Sequence, residues 1–287
     1  MKSGFVAIVG KPNVGKSTLL NRLLGTKLVA VSNKPQTTRH NVLGILNEPD
    51  YQIIFTDTPG IFNPTNSIQK VMVKQALLSL KDNDITMLLV EPFTMETEMI
   101  KKMERATILV INKIDLLKDR KLLLPLINKY KEFKLVQEIV PISALNGDGI
   151  EGLKKVIATF LPDQEEPYYP TDILSDRDER FFVSELIQEK VFVFYGQEIP
   201  YATTVMIDEF KEREQGKYFI RATIYVERAS EKAIIIGNKG EAIKRVGTEA
   251  RKAIEKLINH PVYLELWVKV RKGWRRNLQD IKEFGYE

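Results

Sequence analysis

Cysteine is absent from this chain of 287 residues, so disulfides and thiolate metal sites are excluded. The absence fits a reducing cytoplasm. Histidine occurs only twice, which with no cysteine argues against a zinc enzyme. No apolar run is long enough to span a bilayer. The N-terminus enters an apolar run almost at once, so no signal peptide is expected before the fold. Apolar residues at 44% and charged residues at 28% are ordinary for a soluble globular protein. The length suffices for two domains. Net charge is only +5, but it is unevenly placed.

The chain is organised around Gly10-Lys11-Pro12-Asn13-Val14-Gly15-Lys16-Ser17, which fits the phosphate-loop pattern G-x-x-x-x-G-K-[ST]. Residues 5–9 read as a buried strand before it. Residues 18–24 carry apolar pairs at helical spacing and stop at Gly25. Gly10 and Gly15 let the backbone wrap closely around phosphate oxygens. The backbone N–H groups of Asn13 to Thr18, through Val14 and Gly15, then face the anion at a helix N-terminus. Lys16 is expected to reach the β- and γ-phosphates, and the Ser17 hydroxyl to bind Mg²⁺. The bland alternative is a glycine turn with a chance lysine, which leaves the flanking strand and helix unexplained.

Residues 32–40 show no apolar period and read as an exposed loop that can fold over the γ-phosphate. A threonine there, Thr37 or Thr38, could complete the Mg²⁺ shell. Residues 42–46 and 51–55 read as strands. The second runs into Asp57-Thr58-Pro59-Gly60, which places a carboxylate on the Mg²⁺ side and the Gly60 N–H near the γ-phosphate. Residues 61–67 form a turn-rich stretch expected to be mobile. Helical spacing follows over 67–81, then a strand over 85–90, a short charged helix over 94–105 and a strand over 107–111.

That strand ends in Asn112-Lys113-Ile114-Asp115. A carboxylate can accept from both N1–H and the 2-amino group of guanine, and adenine offers no such donor pair. A wrong base would leave Asp115 desolvated and unpaired. Asn112 would brace the loops and the Lys113 stem would lie over the ring. Residues 140–145 read as a further strand whose loop, at Ser143 and Ala144, offers the Ala144 N–H to guanine O6. An ordinary polar turn could also carry N-K-x-D, but not the preceding motifs in this order.

On Gly10–Ser17, Thr37-Thr38-Arg39, Asp57–Gly60, Asn112–Asp115 and Ser143-Ala144, residues 4 to about 160 resemble a translation-factor-class small GTPase domain. The resemblance implies an α/β fold with a mixed, mostly parallel sheet, binding of GTP and GDP, and hydrolysis of GTP to GDP and phosphate. Lys16, Thr38 and Gly60 are then the catalytic residues. Thr38 is favoured over Thr37 as Mg²⁺ ligand beside Ser17 and Asp57. Asn13 becomes a candidate K⁺ ligand, against the alternative that it merely tightens the loop. Signalling GTPases place glutamine after Gly60 to orient water. This chain has Ile61 there, so slow turnover is expected.

Residues 163–179 hold seven acids and one arginine, lack apolar periodicity and read as a linker. The expected domains are therefore 1–162, a linker over 163–180, and 181–287. Beyond the linker the spacing predicts a helix over 181–195, strands over 202–207 and 218–226, helices over 229–236 and 241–258, and a strand over 262–270. Between the paired helices stands Gly237-Asn238-Lys239-Gly240. A helix, G-x-x-G and a second helix form the nucleic-acid clamp of a KH domain, which grips about four nucleotides. Ile235 and Ile236 belong to an apolar run that can floor a base groove. Lys239, Lys244 and Arg245 are candidate phosphate contacts. Residues 228–276 carry thirteen Lys and Arg against five Asp and Glu, a concentration of charge that fits phosphate binding. Trp274, in the basic stretch Lys269 to Arg276, could stack on a base or pack on the domain.

A GTPase domain followed by an α+β, type II KH domain resembles the Era family over essentially the whole chain, including the Glu265-Leu266-Trp267-Val268-Lys269-Val270 strand. The resemblance implies a cytoplasmic ribosome-assembly GTPase, monomeric, that binds single-stranded RNA near the 3′ end of small-subunit ribosomal RNA. The span between Asp84 and Asn112 is short for that family. A second reading is a membrane-associated regulatory GTPase, peripheral on the inner face of the cell membrane, with incidental RNA affinity. Its basis is the basic stretch, which could bind anionic lipid.

Overall fold

The computed structural model describes residues 1–286 except 33, 35, 61, 80, 102 and 104. The expectation for Ile61 therefore falls outside the described residues. The chain divides into two compact units, one of residues 1–29, 38–63 and 72–176, the other of residues 30–37, 64–71 and 177–287.

The first unit is built on a six-stranded sheet of order β2-β3-β1-β4-β5-β6. Its elements are β1 (Lys2–Gly10), α1 (Lys16–Leu24), β2 (Val42–Asn47), β3 (Tyr51–Asp57), α2 (Ser67–Ser79, its first turns counted with the second unit), β4 (Ile85–Val90), α3 (Thr97–Ile100), β5 (Thr107–Ile111), α4 (Leu123–Tyr130), β6 (Val136–Pro141) and α5 (Ile150–Phe160). Only β2 runs antiparallel to its neighbour. Strands covered on both faces need apolar side chains throughout, and every residue of β4 and β5 is buried. The register sets Asp57 opposite Ile8, Leu89 opposite Gly10 and Val90 opposite Ile111. All functional loops thus leave the carboxyl edge of one sheet, where ligands of open α/β folds bind.

Several expectations need correction. The strand predicted over 140–145 ends at Pro141, and Ser143 and Ala144 lie in the following loop. It is an edge strand with exposed Gln137 and Glu138, so its start carries no apolar signal. The helix predicted over 94–105 shrinks to four residues among those described. Helices α4 and α5 fill stretches to which the sequence analysis gives no element.

The acidic linker is not a solvated spacer. Leu174 O accepts from Ile45 N at 2.8 Å, so the segment pairs with β2. The Gln52 side chain exchanges bonds with Tyr169 N and O at 3.1 and 2.8 Å. Tyr168 lies 5.0 Å from Phe5, ring to ring. Such bonds satisfy backbone groups that composition alone leaves unassigned. Residues up to Asp176 accordingly belong to the first unit.

In the second unit, α6 (Glu179–Phe194) starts two residues before the predicted boundary, because the Asp178 carboxylate caps it by accepting from Phe181 N at 2.9 Å. Then come β7 (Thr204–Lys211), β8 (Tyr218–Val226), α7 (Ala229–Ile236), α8 (Glu241–Ile258), β9 (Val262–Val270) and α9 (Leu278–Glu283). The sheet order is β7-β8-β9, with β8 and β9 parallel. The α-β-β-α-α-β order holds, with α9 added. Ile220, Ile224, Ile235, Val246, Ile254 and Val262 are all fully buried between sheet and helices.

Candidate functional site: a nucleotide pocket and a basic cleft

The phosphate loop turns sharply between β1 and α1. Gly15 caps α1 at φ 102°, and a Cβ there would collide with the Asn112 carboxamide. Asn13 also takes a positive φ, 63°. Val14 is buried, while Thr18 is half-buried in the first turn of α1. Lys16 Nζ is buried and donates to Gly10 O at 3.1 Å and Lys11 O at 3.0 Å. Burial lowers its pKa to about 8, against the opposing pull of Asp57. Gly60 packs on the loop so tightly that a Cβ would meet Pro12 at 2.9 Å.

Ser17, Thr38 and Asp57 converge. Ser17 Oγ donates to Asp57 Oδ2 at 2.9 Å and lies 2.7 Å from Thr38 Oγ1. Thr37, by contrast, bonds Ser32 Oγ at 2.6 Å and Lys34 O at 2.8 Å. Asp57 is fully buried, and its Oδ1 has no hydrogen-bond partner among the described residues. Burial raises its pKa to about 6, while Lys16, Ser17 and Thr38 pull it down. A buried carboxylate oxygen left bare beside two hydroxyls fits a hard cation such as Mg²⁺.

Asn112 joins the loops, donating to Val14 O at 2.8 Å and accepting from Ala144 N at 3.0 Å. The Ala144 N–H, expected to meet guanine O6, bonds the Asn112 carboxamide in this structure. Asp115 is exposed and accepts from Ser143 Oγ at 2.5 Å. Lys113 donates to Asn13 O at 2.7 Å and pairs with Glu91. Lys11 pairs with the buried Glu96 at 2.7 Å. The short span after β4 therefore still braces both nucleotide loops. Sequence reasoning missed Glu91, Glu96 and also Arg22, whose guanidinium donates to Ala144 O at 3.2 Å and to Leu145 O. No pattern marks these three, since their partners are backbone or distant in sequence.

In the second unit, Gly237 (φ 71°) ends α7, and a Cβ there would lie 2.5 Å from the Ala242 side chain. Lys239 takes φ 49°, and Gly240 caps α8 at φ 81°. Asn238, Lys239 and Lys244 are exposed. Beside them α8 and β9 enclose a cleft of about 370 Å³, lined by Lys217, Lys244, Gly247, Arg251, Tyr263 and Leu266 among others. Gly247 lines it without a side chain, and a Cβ there would sit in ordinary contact with Leu266 at 3.4 Å. Among the predicted contacts, Ile235 is a correction: it is fully buried in the core and cannot meet RNA. Ile236 packs half-buried against the same core. The Arg245 guanidinium lies over the Phe194 ring at 4.4 Å. Trp274 is fully buried and donates to Ala202 O at 3.0 Å, so it packs rather than stacks on a base. Arg271 is paired with Asp280 and Glu283, and Arg275 with Glu227. Two of the five cations in Lys269–Arg276 are therefore engaged within the fold. Among the described residues no helix is long and apolar enough to cross a membrane.

Comparison with known proteins matches both domains. Residues 5–113 match a family described as 50S ribosome-binding GTPase, and residues 198–275 match the KH domain. GTPase Era of Geobacter metallireducens is 50% identical, covering 99% of this chain and 98% of its own. Its counterpart from Geotalea uraniireducens is 48% identical over 100% of this chain and 98% of its own. A crystal structure of an Aquifex aeolicus Era variant bound to GDP and AlF₄⁻ superposes with a TM-score of 0.95 at 42% identity, covering 100% of this chain and 99% of its own. Era in complex with MgGDPNP and nucleotides 1506–1542 of 16S ribosomal RNA matches with the same scores. The chain belongs to the Era family of GTPases, a GTP-hydrolysing domain followed by a KH domain.

Proposed function

We propose that this GTPase is a cytoplasmic, monomeric switch that binds the 3′ region of small-subunit ribosomal RNA during assembly of the small subunit. The observation that carries the RNA reading is the cleft with Lys217, Lys244 and Arg251 beside the Gly237–Gly240 loop. A relative crystallised with a 16S fragment supports the choice of RNA.

At the first site, Asp115 would accept from guanine and Ser143 would hold that carboxylate in place. Lys16 would leave its carbonyl partners for the phosphates, whose charge would restore its own. Ser17, Thr38 and Asp57 would hold Mg²⁺, which when bound neutralises charge on the phosphates. Gly60, pressed on Pro12, brings its backbone to the same place. Catalysis is then positioning plus charge neutralisation, and turnover is slow. Asn13 is a candidate K⁺ ligand; equal hydrolysis in K⁺ and Na⁺ would remove that role.

Ultraviolet crosslinking of the GTP-loaded protein in a bacterial lysate, with sequencing of attached RNA, tests the proposal. Reads should gather at the 3′ end of small-subunit ribosomal RNA. Reads scattered over messenger RNAs would overturn it.

A further inference from the structure

We propose that the outer face of the second unit's sheet is a further RNA-contact surface, a platform on which bases leaving the cleft stack after crossing β9. The proposal rests on the RNA reading of the cleft.

The helices cover one face of this sheet. On the other, the parallel register of β8 and β9 sets Phe219 beside Tyr263, Arg221 beside Glu265 and Thr223 beside Trp267. Phe219 and Tyr263 stack with centroids 5.9 Å apart and planes at 13°. The Arg221 guanidinium lies 5.3 Å from the Phe219 centroid. Tyr263 is 58% and Trp267 51% exposed. At the far end of the same face the chain protects its own aromatics. Tyr225 packs on Phe284 at 5.0 Å, and Thr204 bonds Tyr286 at 3.0 Å. Among the described residues, nothing covers the Tyr263–Trp267 end.

The open end is held ready for flat ligands. Glu265 Oε2 accepts from Arg221 Nε at 2.9 Å, and its Oε1 accepts from Trp267 Nε1 at 2.9 Å. One carboxylate thereby fixes the indole and has its charge offset by Arg221. Glu209 is offset by Lys211 and Arg221. A phosphate chain passing here meets compensated acids, with exposed Lys217 at the cleft and exposed Lys269 beyond Trp267. Continuity settles the choice of ligand. Tyr263 lines the cleft and also forms the platform's first stacked pair. β9 is the sheet edge, so one strand's width separates the two surfaces. Base–aromatic stacking tolerates any base, so the platform adds affinity and strand direction rather than sequence choice.

The chain's only two tryptophans make the test direct, because Trp274 is fully buried and Trp267 is not. Full-length protein is titrated with a single-stranded RNA of about four nucleotides, the length a KH loop grips, and with one about three times longer. The longer RNA should quench tryptophan emission and shield it from iodide; the short one should bind without doing either. Trp267→Leu should weaken the longer RNA by about 5- to 150-fold, the worth of one stacked base, and leave the short RNA unchanged. Trp267→Phe should restore part of the loss. Absent quenching, with affinity for the longer RNA unchanged in Trp267→Leu, overturns the platform and leaves the face to a protein partner. If instead neither RNA binds the unaltered protein, the cleft reading fails and the platform falls with it.

Discussion

Asp57 is held where a carboxylate is costly, and replacing it by asparagine should stabilise the nucleotide-free protein. Its side chain is fully buried and Oδ1 has no partner among the described residues. Burial moves its pKa from 3.8 to about 6. Each unit is worth about 1.36 kcal/mol, so the charged form costs the fold about 3 kcal/mol at neutral pH. Below about pH 3 the carboxyl is protonated in both states and the cost is absent. It grows as pH rises toward 6, the folded-state value, and is complete above it. Asparagine keeps the shape and can still accept from Ser17. It also strips Asp57's field from Lys16, whose pKa burial already lowers to about 8, which offsets part of the gain. The net gain should be about 1–2 kcal/mol near pH 7.5, falling to nothing near pH 3. Urea unfolding in EDTA without nucleotide, followed by far-ultraviolet circular dichroism, measures it. Tryptophan emission would not serve, since both tryptophans lie in the second unit. With Mg²⁺ and GTP added the order should invert, because only the unaltered site gains from the ligand. A variant less stable than its parent near pH 7.5 without ligand, or a gain independent of pH, would refute the reasoning.

Asp115→Asn should shift nucleotide preference from GTP toward xanthosine triphosphate, measured by competition binding. Ser143→Ala removes the 2.5 Å donor to Asp115 and should weaken GDP by about 10- to 150-fold, since hydrogen bonds to charged groups are worth about 1.5–3 kcal/mol. Gly247→Leu should fill the cleft, cutting RNA affinity at least tenfold by anisotropy while GTP hydrolysis is unchanged.

The nucleotide site was legible because its chemistry sits in short runs. The residues of Gly10–Ser17, Asp57–Gly60 and Asn112–Asp115 carry both identity and place in sequence, and the sheet brings them to one edge. In the second unit, elements with clean periods were read to the residue: Tyr218–Val226, Ala229–Ile236, Glu241–Ile258 and Val262–Val270. What stayed hidden depends on partners far along the chain. The acidic segment after Pro162 looks solvated by composition, yet its backbone bonds to Ile45 and Gln52. Ile235 looks like a groove floor until the helix phase turns it inward. Arg22, Glu91 and Glu96 act through tertiary pairs that no local pattern announces.

Two separate anion grips on one chain, a guanine nucleotide in the first unit and an RNA strand in the second, are the core of this account. Calorimetric titration of the full chain with Mg·GDP and with RNA of the small-subunit 3′ end tests it most directly. One nucleotide and one strand should bind per chain. Asp115→Asn should lose GDP and keep RNA, and Gly237→Asp should do the reverse. A protein that takes up no RNA, or a single variant that abolishes both ligands, would contradict it.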